Sequence, residues 1–169
     1  MSDLTIVDEL IDQFGRTWQE LRDALTKTPA PEWRRANPGG RDAVPGPETD
    51  YLIPARLAYH ILRTTDMYAT HMGYEEYKPH RKYKIDWEGP VAALPDREEV
   101  FTFVNECEVQ VKEWLLDLGD EGLMEEEEKY PWTGELKLGR ALYLLRHNQW
   151  HIAEINTLLR LRGLEPGEW

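Results

Sequence analysis

Two histidines, His147 and His151, lie four residues apart in a segment whose apolar residues recur at helical spacing. Because residues i and i+4 share one face of a helix, both imidazoles can point at one ion. The apolar residues on the same stripe are Leu144, Ile155 and Leu158. That stripe predicts a core-facing position for the pair, and a metal ion is the simplest partner for buried, paired imidazoles.

A third candidate ligand, His60, lies on a second stripe of helical spacing. The residues that share this stripe are Ile53, Leu57, Thr64 and Met67. Two helices would then offer three ring nitrogens to one point, and three ligands leave a coordination position open, as in catalytic zinc sites. The sequence therefore predicts one divalent ion held by His60, His147 and His151. The alternative is three core histidines that each donate to a carbonyl or a carboxylate.

Glu154 is the candidate catalytic residue. It lies three residues beyond His151 and seven beyond His147, so it shares their helix face. Its carboxylate could orient an imidazole, bind the ion or act as a base, and the alternative is a solvated or salt-bridged helix charge. Asn148 lies beside the pair and is expected to reach only the surroundings of the ion.

The other residues that could bind a metal or react are interpreted as structural or solvent-exposed. Cys107 falls on an apolar stripe, where it could be a thiolate ligand, but a buried core cysteine is the prediction. His71 lies about 16 Å from His60 along a helix, too far for the same ion. His80 is expected in an exposed loop. The glutamates at 125–128 lack the spacing and the turn glycine of a calcium loop, so we expect a solvated charge run.

Composition limits the classes of protein. The chain has 169 residues, 41% hydrophobic content and a net charge of −12, so one domain over 1–169 is expected, without a nucleic-acid or anionic-membrane partner. Cys107 is the single cysteine, and the first residues lack the features of a signal peptide, so a cytoplasmic location is expected. Neither a glycine-rich phosphate loop nor a Gly-x-Ser-x-Gly elbow is present.

Four segments have helical periodicity or helix-start signals, and the fold class that they predict is all-α. The predicted helices cover about 3–27, 51–72, 96–118 and 137–162, and the third begins with a capping box, Asp96 to Glu99. The connections at 28–50, 73–95 and 119–136 are rich in proline, glycine or charge. The second connection is long enough to cross the length of a bundle, so we predict a four-helix bundle with a long crossover between helices two and three.

Aromatic residues are concentrated in the second and third connections. They could cap the bundle and form an apolar pocket over the ion, or they could be satellite core beneath long loops. These residues are Tyr74, Tyr77, Tyr83, Trp87, Tyr130 and Trp132.

The segment at 145–155, LRHNQWHIAEI, resembles the C-terminal helix motif of the DinB-like (YfiT-like) superfamily. In that family a histidine in the second helix joins a His-x3-His pair in the fourth, and these correspond to His60, His147 and His151. Helix order, the long second connection and chain length agree over essentially the whole chain. One departure is Glu154, where family members often have glutamine.

The resemblance implies a divalent ion, commonly zinc or nickel, and in some branches thiol-dependent transferase or isomerase chemistry. We therefore expect a metal-dependent hydrolase or thiol-dependent transferase that acts on a small molecule, with a low-molecular-weight thiol as a possible second substrate. A homodimer is also expected, since helix faces commonly form symmetric contacts. The alternative function is a non-catalytic helical module for dimerisation or partner binding, with structural histidines.

Overall fold

The computed structural model describes residues 4–35, 52–85 and 89–168, and within these stretches the chain is all-helical, without a β-strand. Four helices are long and two are single turns. In chain order the helices are α1 (Ile6–Lys27), α2 (Ala30–Trp33), α3 (Pro54–Tyr68), α4 (Tyr74–Tyr77), α5 (Arg97–Leu123) and α6 (Lys137–Leu161). The predicted all-α class is therefore confirmed for this part of the chain.

Helix α1 begins at a capping box that was not predicted from the sequence. The Thr5 hydroxyl accepts from the Asp8 amide, and the Asp8 carboxylate accepts from the Thr5 amide. The apolar residues at helical spacing from Val7 to Leu25 are buried, except for the half-buried Ile11, but Leu4 is 72% exposed. Leu4 precedes the cap, where Thr5 has extended φ and ψ, so its side chain does not follow the helical stripe.

Helix α3 is shorter than predicted at both ends. Pro54 occupies its first turn, where a fixed φ and a missing amide hydrogen are compatible with a helix. The helix ends at Tyr68, because Ala69 leaves helical dihedrals and the Met72 amide donates to the Thr70 hydroxyl in a turn. The first residue of the prediction, 51, lies outside the described residues.

Helix α5 begins at the predicted capping box, with reciprocal bonds between Asp96 and Glu99. The predicted start of the link at 119 agrees with a break in helical dihedrals at Gly119, and a further helical stretch then runs to Leu123 inside the predicted link. Gly119 has φ +60° and ψ 176°, a conformation that glycine adopts readily, and the chain resumes helical geometry after it. The Asp120 carboxylate beyond this break accepts from the first two amides of α1.

The long helices pack around a shared core. Helices α1 and α3 each pack against both α5 and α6. The tail after α6 also packs against the helices, since the Gly167 amide donates to the buried Asn156 Oδ1 at 2.7 Å. No described helix is both long enough and apolar enough to cross a membrane.

The connections contain more structure than predicted. The first includes α2, and the second includes α4 with 3₁₀ turns at Lys78–His80 and Val91–Ala93. Residues 36–51 and 86–88 of these connections, Trp87 among them, lie outside the described residues. Of the aromatic side chains, Tyr130 is buried in the main core, Tyr77 is buried outside it, Tyr83 is half-buried, and Tyr74 and Trp132 are exposed.

The glutamate run is not uniformly solvated, and the prediction for Glu127 was wrong. Glu127 is 4% exposed and its Oε2 lies 2.7 Å from the Nε of Arg140, which is 2% exposed. The other Glu127 oxygen accepts from the amides of Lys129 and Tyr130. Because Arg140 lies in the first turns of α6, the pair ties the third connection to that helix. The other three glutamates of the run are exposed.

Candidate metal centre

The three predicted ligands meet between two helices that pack against each other. Helix α3 carries His60, and α6 carries His147 and His151 one turn apart. His151 is buried and the other two are half-buried. The ring centroids lie 4.8, 4.7 and 4.5 Å apart for the pairs 60–147, 60–151 and 147–151. The i, i+4 spacing on α6 and the third histidine across the helix interface thus converge as the sequence predicted.

Each ring offers one nitrogen to a common point, and these three nitrogens all lie within 4.8 Å of one another. His60 Nε2 and His147 Nε2 are 3.0 Å apart. Zinc–nitrogen bonds of about 2.0–2.1 Å in tetrahedral geometry would place ligand nitrogens about 3.3 Å apart. The 3.0 Å separation of His60 and His147 is close to that spacing, and the group of three could hold a metal ion.

Burial keeps two of these imidazoles neutral. Desolvation, followed by the proximity of His147 and His151, lowers the pKa of His60 to about 2. Desolvation, followed by the proximity of His151, lowers the pKa of His147 to about 4. At neutral pH each ring therefore has an unprotonated nitrogen, which is the form that binds metals.

A buried amide, Asn148, contacts the far side of the His147 ring, and a buried hydroxyl, Thr65, contacts that amide. Its Nδ1 lies 3.3 Å from the Asn148 Oδ1, and the Asn148 Nδ2 donates to the Thr65 Oγ1 at 3.1 Å. Asn148 was predicted to lie beside the histidine pair, and it contacts the ring of His147. Thr65 was not predicted, because only the packing of α3 against α6 brings it to this position.

Glu154 contacts the third ligand. Its Oε2 lies 2.7 Å from the His151 Nδ1, and its Oε1 accepts from the Trp150 Nε1 at 3.2 Å. A carboxylate on one nitrogen of a histidine leaves the other nitrogen for a metal and raises its basicity. Of the roles considered for Glu154, this geometry favours orientation of the imidazole, and its catalytic role stays a prediction.

The remaining chemical candidates lie outside the cluster. Cys107 is fully buried on α5, where desolvation raises the pKa of its thiol well above its usual range. It is a core residue, as predicted, and its Sγ lies 3.6 Å from the Leu62 carbonyl oxygen. His80 is exposed, as predicted. His71 was placed on the second predicted helix, but it lies beyond the end of α3 at Tyr68 and is also exposed.

Aromatic and cationic side chains from α6 border the cluster. The Tyr143 ring stacks on His147, with centroids 6.2 Å apart and an interplanar angle of 22°. The Arg146 guanidinium lies 5.5 Å from the Tyr143 centroid. Tyr143 was missed in the sequence, although its position four residues before His147 places it on the same helix face.

Comparison of the chain with protein-family models, with curated proteins and with solved structures gives no match in any of the three. The case for a function of this site therefore rests on the arrangement of its own residues.

Proposed function

We propose that the protein binds one divalent metal ion through His60, His147 and His151 and uses it to act on a small molecule. The single observation that carries this proposal is the convergence of three ligand nitrogens within 4.8 Å of one another. Two of the three imidazoles are held neutral by burial, so no proton has to leave them before a metal binds at pH 7.

The donor set indicates the kind of ion. Three imidazoles suit zinc, nickel, copper and iron, and we propose zinc or nickel. Three protein ligands also leave a position for another molecule, in contrast to closed structural sites. When bound there, a divalent ion supplies a Lewis acid that lowers the pKa of a water or thiol at its open position.

The chain's own residues position the ligands and handle protons around them. Glu154 holds the His151 ring through Nδ1, and Asn148 lies against the Nδ1 of His147. Tyr143 stacks on the ring of His147. We propose that the reaction is a hydrolysis or a thiol transfer, with Glu154 also available to accept a proton from the attacking group.

The fold supports a family proposal. Four long helices, with the single histidine on the second and the pair on the last, agree with a DinB-like four-helix bundle. We further propose that the long segment between α3 and α5 is a crossover, and that the protein is a single-domain, cytoplasmic homodimer. A low-molecular-weight thiol is the proposed second substrate.

Elemental analysis of untagged protein, purified without chelator, tests the metal site. The parent should retain about one zinc or nickel ion per chain, and the His147→Ala/His151→Ala double variant should retain none while keeping its helical circular dichroism. The matched control is the His71→Ala/His80→Ala double variant, which removes two exposed histidines and should bind like the parent.

A parent that stays metal-free after dialysis against zinc or nickel would overturn the proposal. The three histidines would then be structural, and the non-catalytic dimerisation or partner-binding module would become the better interpretation. A metal-loaded parent should next be screened for conjugation of small thiols to electrophiles and for hydrolysis, with the metal-free double variant as the blank.

A further inference from the structure

A chain of three hydrogen bonds joins the His147 ring to the backbone of α3. The Thr65 hydroxyl donates to the Ile61 carbonyl oxygen at 2.9 Å. The Asn148 Nδ2 donates to the Thr65 Oγ1 at 3.1 Å, and the Asn148 Oδ1 lies 3.3 Å from the His147 Nδ1. Ile61 directly follows His60, so the same chain of bonds links the two helices that carry the ligands.

The direction of each bond is fixed by the one before it. A hydroxyl has one hydrogen, and Thr65 donates it to a carbonyl, so Thr65 can only accept from Asn148. The amide must therefore turn its NH₂ group toward Thr65 and its carbonyl oxygen toward His147. Because a carbonyl oxygen only accepts, the Nδ1 of His147 must carry the hydrogen.

Burial makes these hydrogen-bond directions obligatory. Asn148 and Thr65 are both 0% exposed, so water does not compete for their polar atoms. A flipped amide would place the NH₂ group against the ring and leave the Thr65 oxygen without a donor from Asn148. Buried polar groups in folded proteins are rarely left in that condition.

We propose that Asn148 and Thr65 are positioning residues that hold His147 in its Nδ1–H tautomer, so that Nε2 is the nitrogen presented to His60 and to an ion. This inference rests on the proposed metal site for its functional meaning. It also assigns different devices to the two ligands of α6, since His147 is set by a buried amide and His151 by the partly exposed Glu154.

The tautomer is measurable without any metal. Long-range ¹H–¹⁵N correlation spectra of the metal-free parent at neutral pH should show a protonated Nδ1 and an unprotonated Nε2 for His147. The variants Asn148→Leu and Thr65→Val remove the acceptor and the residue that orients it, and both should shift His147 toward the other tautomer. A parent spectrum with the hydrogen on Nε2 would overturn the inference.

Metal affinity supplies the second readout. In competition with a chromophoric chelator, zinc affinity should fall about 10- to 100-fold in Asn148→Leu and Thr65→Val, the range seen when a residue that supports a ligand is lost. Thr65→Ser keeps the hydroxyl and should bind like the parent. Parent-like affinity in Asn148→Leu would count against the proposed positioning role.

Matched controls separate positioning from general packing. Asn156→Leu removes another buried amide on α6, whose Oδ1 accepts from Gly167, and Thr17→Val removes another fully buried threonine that donates four residues back, to Gln13. Both should keep the parent tautomer and zinc affinity, and an equal loss in these controls would overturn the inference. A parent that binds no zinc would defeat the proposed function alone, because the metal-free spectra still decide the tautomer.

Discussion

Helix α6 contributes residues to two polar clusters, which differ in whether their groups find all of their partners within the protein. Near its start, Arg140 pairs with Glu127, and each side chain is almost fully buried. About two and three turns beyond Arg140, His147 and His151 face His60 across the interface with α3. The first cluster joins opposite charges, whereas the second brings together three groups of the same kind.

The ion pair is complete within the protein. Glu127 also accepts from two backbone amides, and Arg140 donates to the Thr70 carbonyl and lies 5.0 and 5.2 Å from the ring centroids of Trp114 and Tyr130. The histidine cluster is instead supported from outside, by Asn148 and Glu154, while ligand nitrogens face inward. A cluster whose charges neutralise each other stabilises the fold, whereas a cluster of convergent nitrogen lone pairs can bind a cation.

The largest effect is expected when the ion pair is broken. Glu127→Gln keeps the shape of the side chain but leaves Arg140 charged and buried, and should lower the free energy of unfolding by about 3–5 kcal/mol. Urea denaturation measures it, with the exposed neighbour Glu125→Gln as the control that should change stability much less. Equal decreases in the free energy of unfolding in the two variants would show that the buried ion pair does not stabilise the fold. Zinc affinity of folded Glu127→Gln should match the parent.

Acid should weaken the metal-free protein through the other cluster. The folded pKa values of His60 and His147, about 2 and about 4, lie below the unfolded value near 6.5. Between these values the unfolded chain binds more protons at these two histidines. Their contribution to stability is therefore complete well above pH 6.5 and is lost as the pH drops toward 4, by about 3 kcal/mol from His147 alone.

The measurement is the free energy of unfolding of metal-free parent from pH 7.5 to 4.5. His147→Gln should flatten this dependence, while His71→Gln, which changes an exposed histidine, should not. The same pH slope in parent and His147→Gln would contradict the role given to burial.

Zinc should stabilise the folded protein through the histidine cluster, and this gain should not depend on the ion pair. At a free zinc concentration of 100 times its dissociation constant, linkage predicts a gain of about 2.7 kcal/mol. Thermal unfolding with and without zinc should show a rise in Tm for the parent and for Arg140→Met, and none for the His147→Ala/His151→Ala variant. A comparable rise in that double variant would place the bound zinc elsewhere on the chain.

A smaller effect is expected from the support of His151. Glu154→Ala should weaken zinc binding about 10- to 100-fold, and Glu154→Gln should weaken it less, because its amide oxygen can still accept from Nδ1. Chelator competition measures both, with the exposed Glu113→Gln as the control. If Glu154 also accepts a proton in the reaction, Glu154→Gln should lose turnover while it retains the metal; retained turnover would leave orientation as its whole role.

Local sequence signals predicted most of the elements and all three proposed ligands. Two of these signals depend only on spacing along one helix and can be read directly from the sequence. They are the capping box at Asp96 and Glu99 and the i, i+4 pair at His147 and His151. The crossover, the dimer and the family stay predictions.

What the sequence did not reveal depends on how separate segments pack. Thr65 reaches Asn148 only because α3 and α6 meet with a particular rotation, which periodicity does not define. Glu127 has the same type of neighbours as the other glutamates in its run, and only Arg140, thirteen residues later, makes its burial favourable. The one-turn helices α2 and α4 are too short for a periodic pattern.

The contact between Trp150 and Glu154 gives the protein an optical property. The indole is 65% exposed, yet its N–H donates to the carboxylate whose other oxygen lies against His151. A cation bound at the histidine cluster would therefore alter the electric field at a fluorophore on the surface. The chain has seven tryptophans, so the difference in emission between parent and Trp150→Phe isolates this one. Occupancy of the cluster should thus be followed in real time, without an added label, by the fluorescence of a single residue.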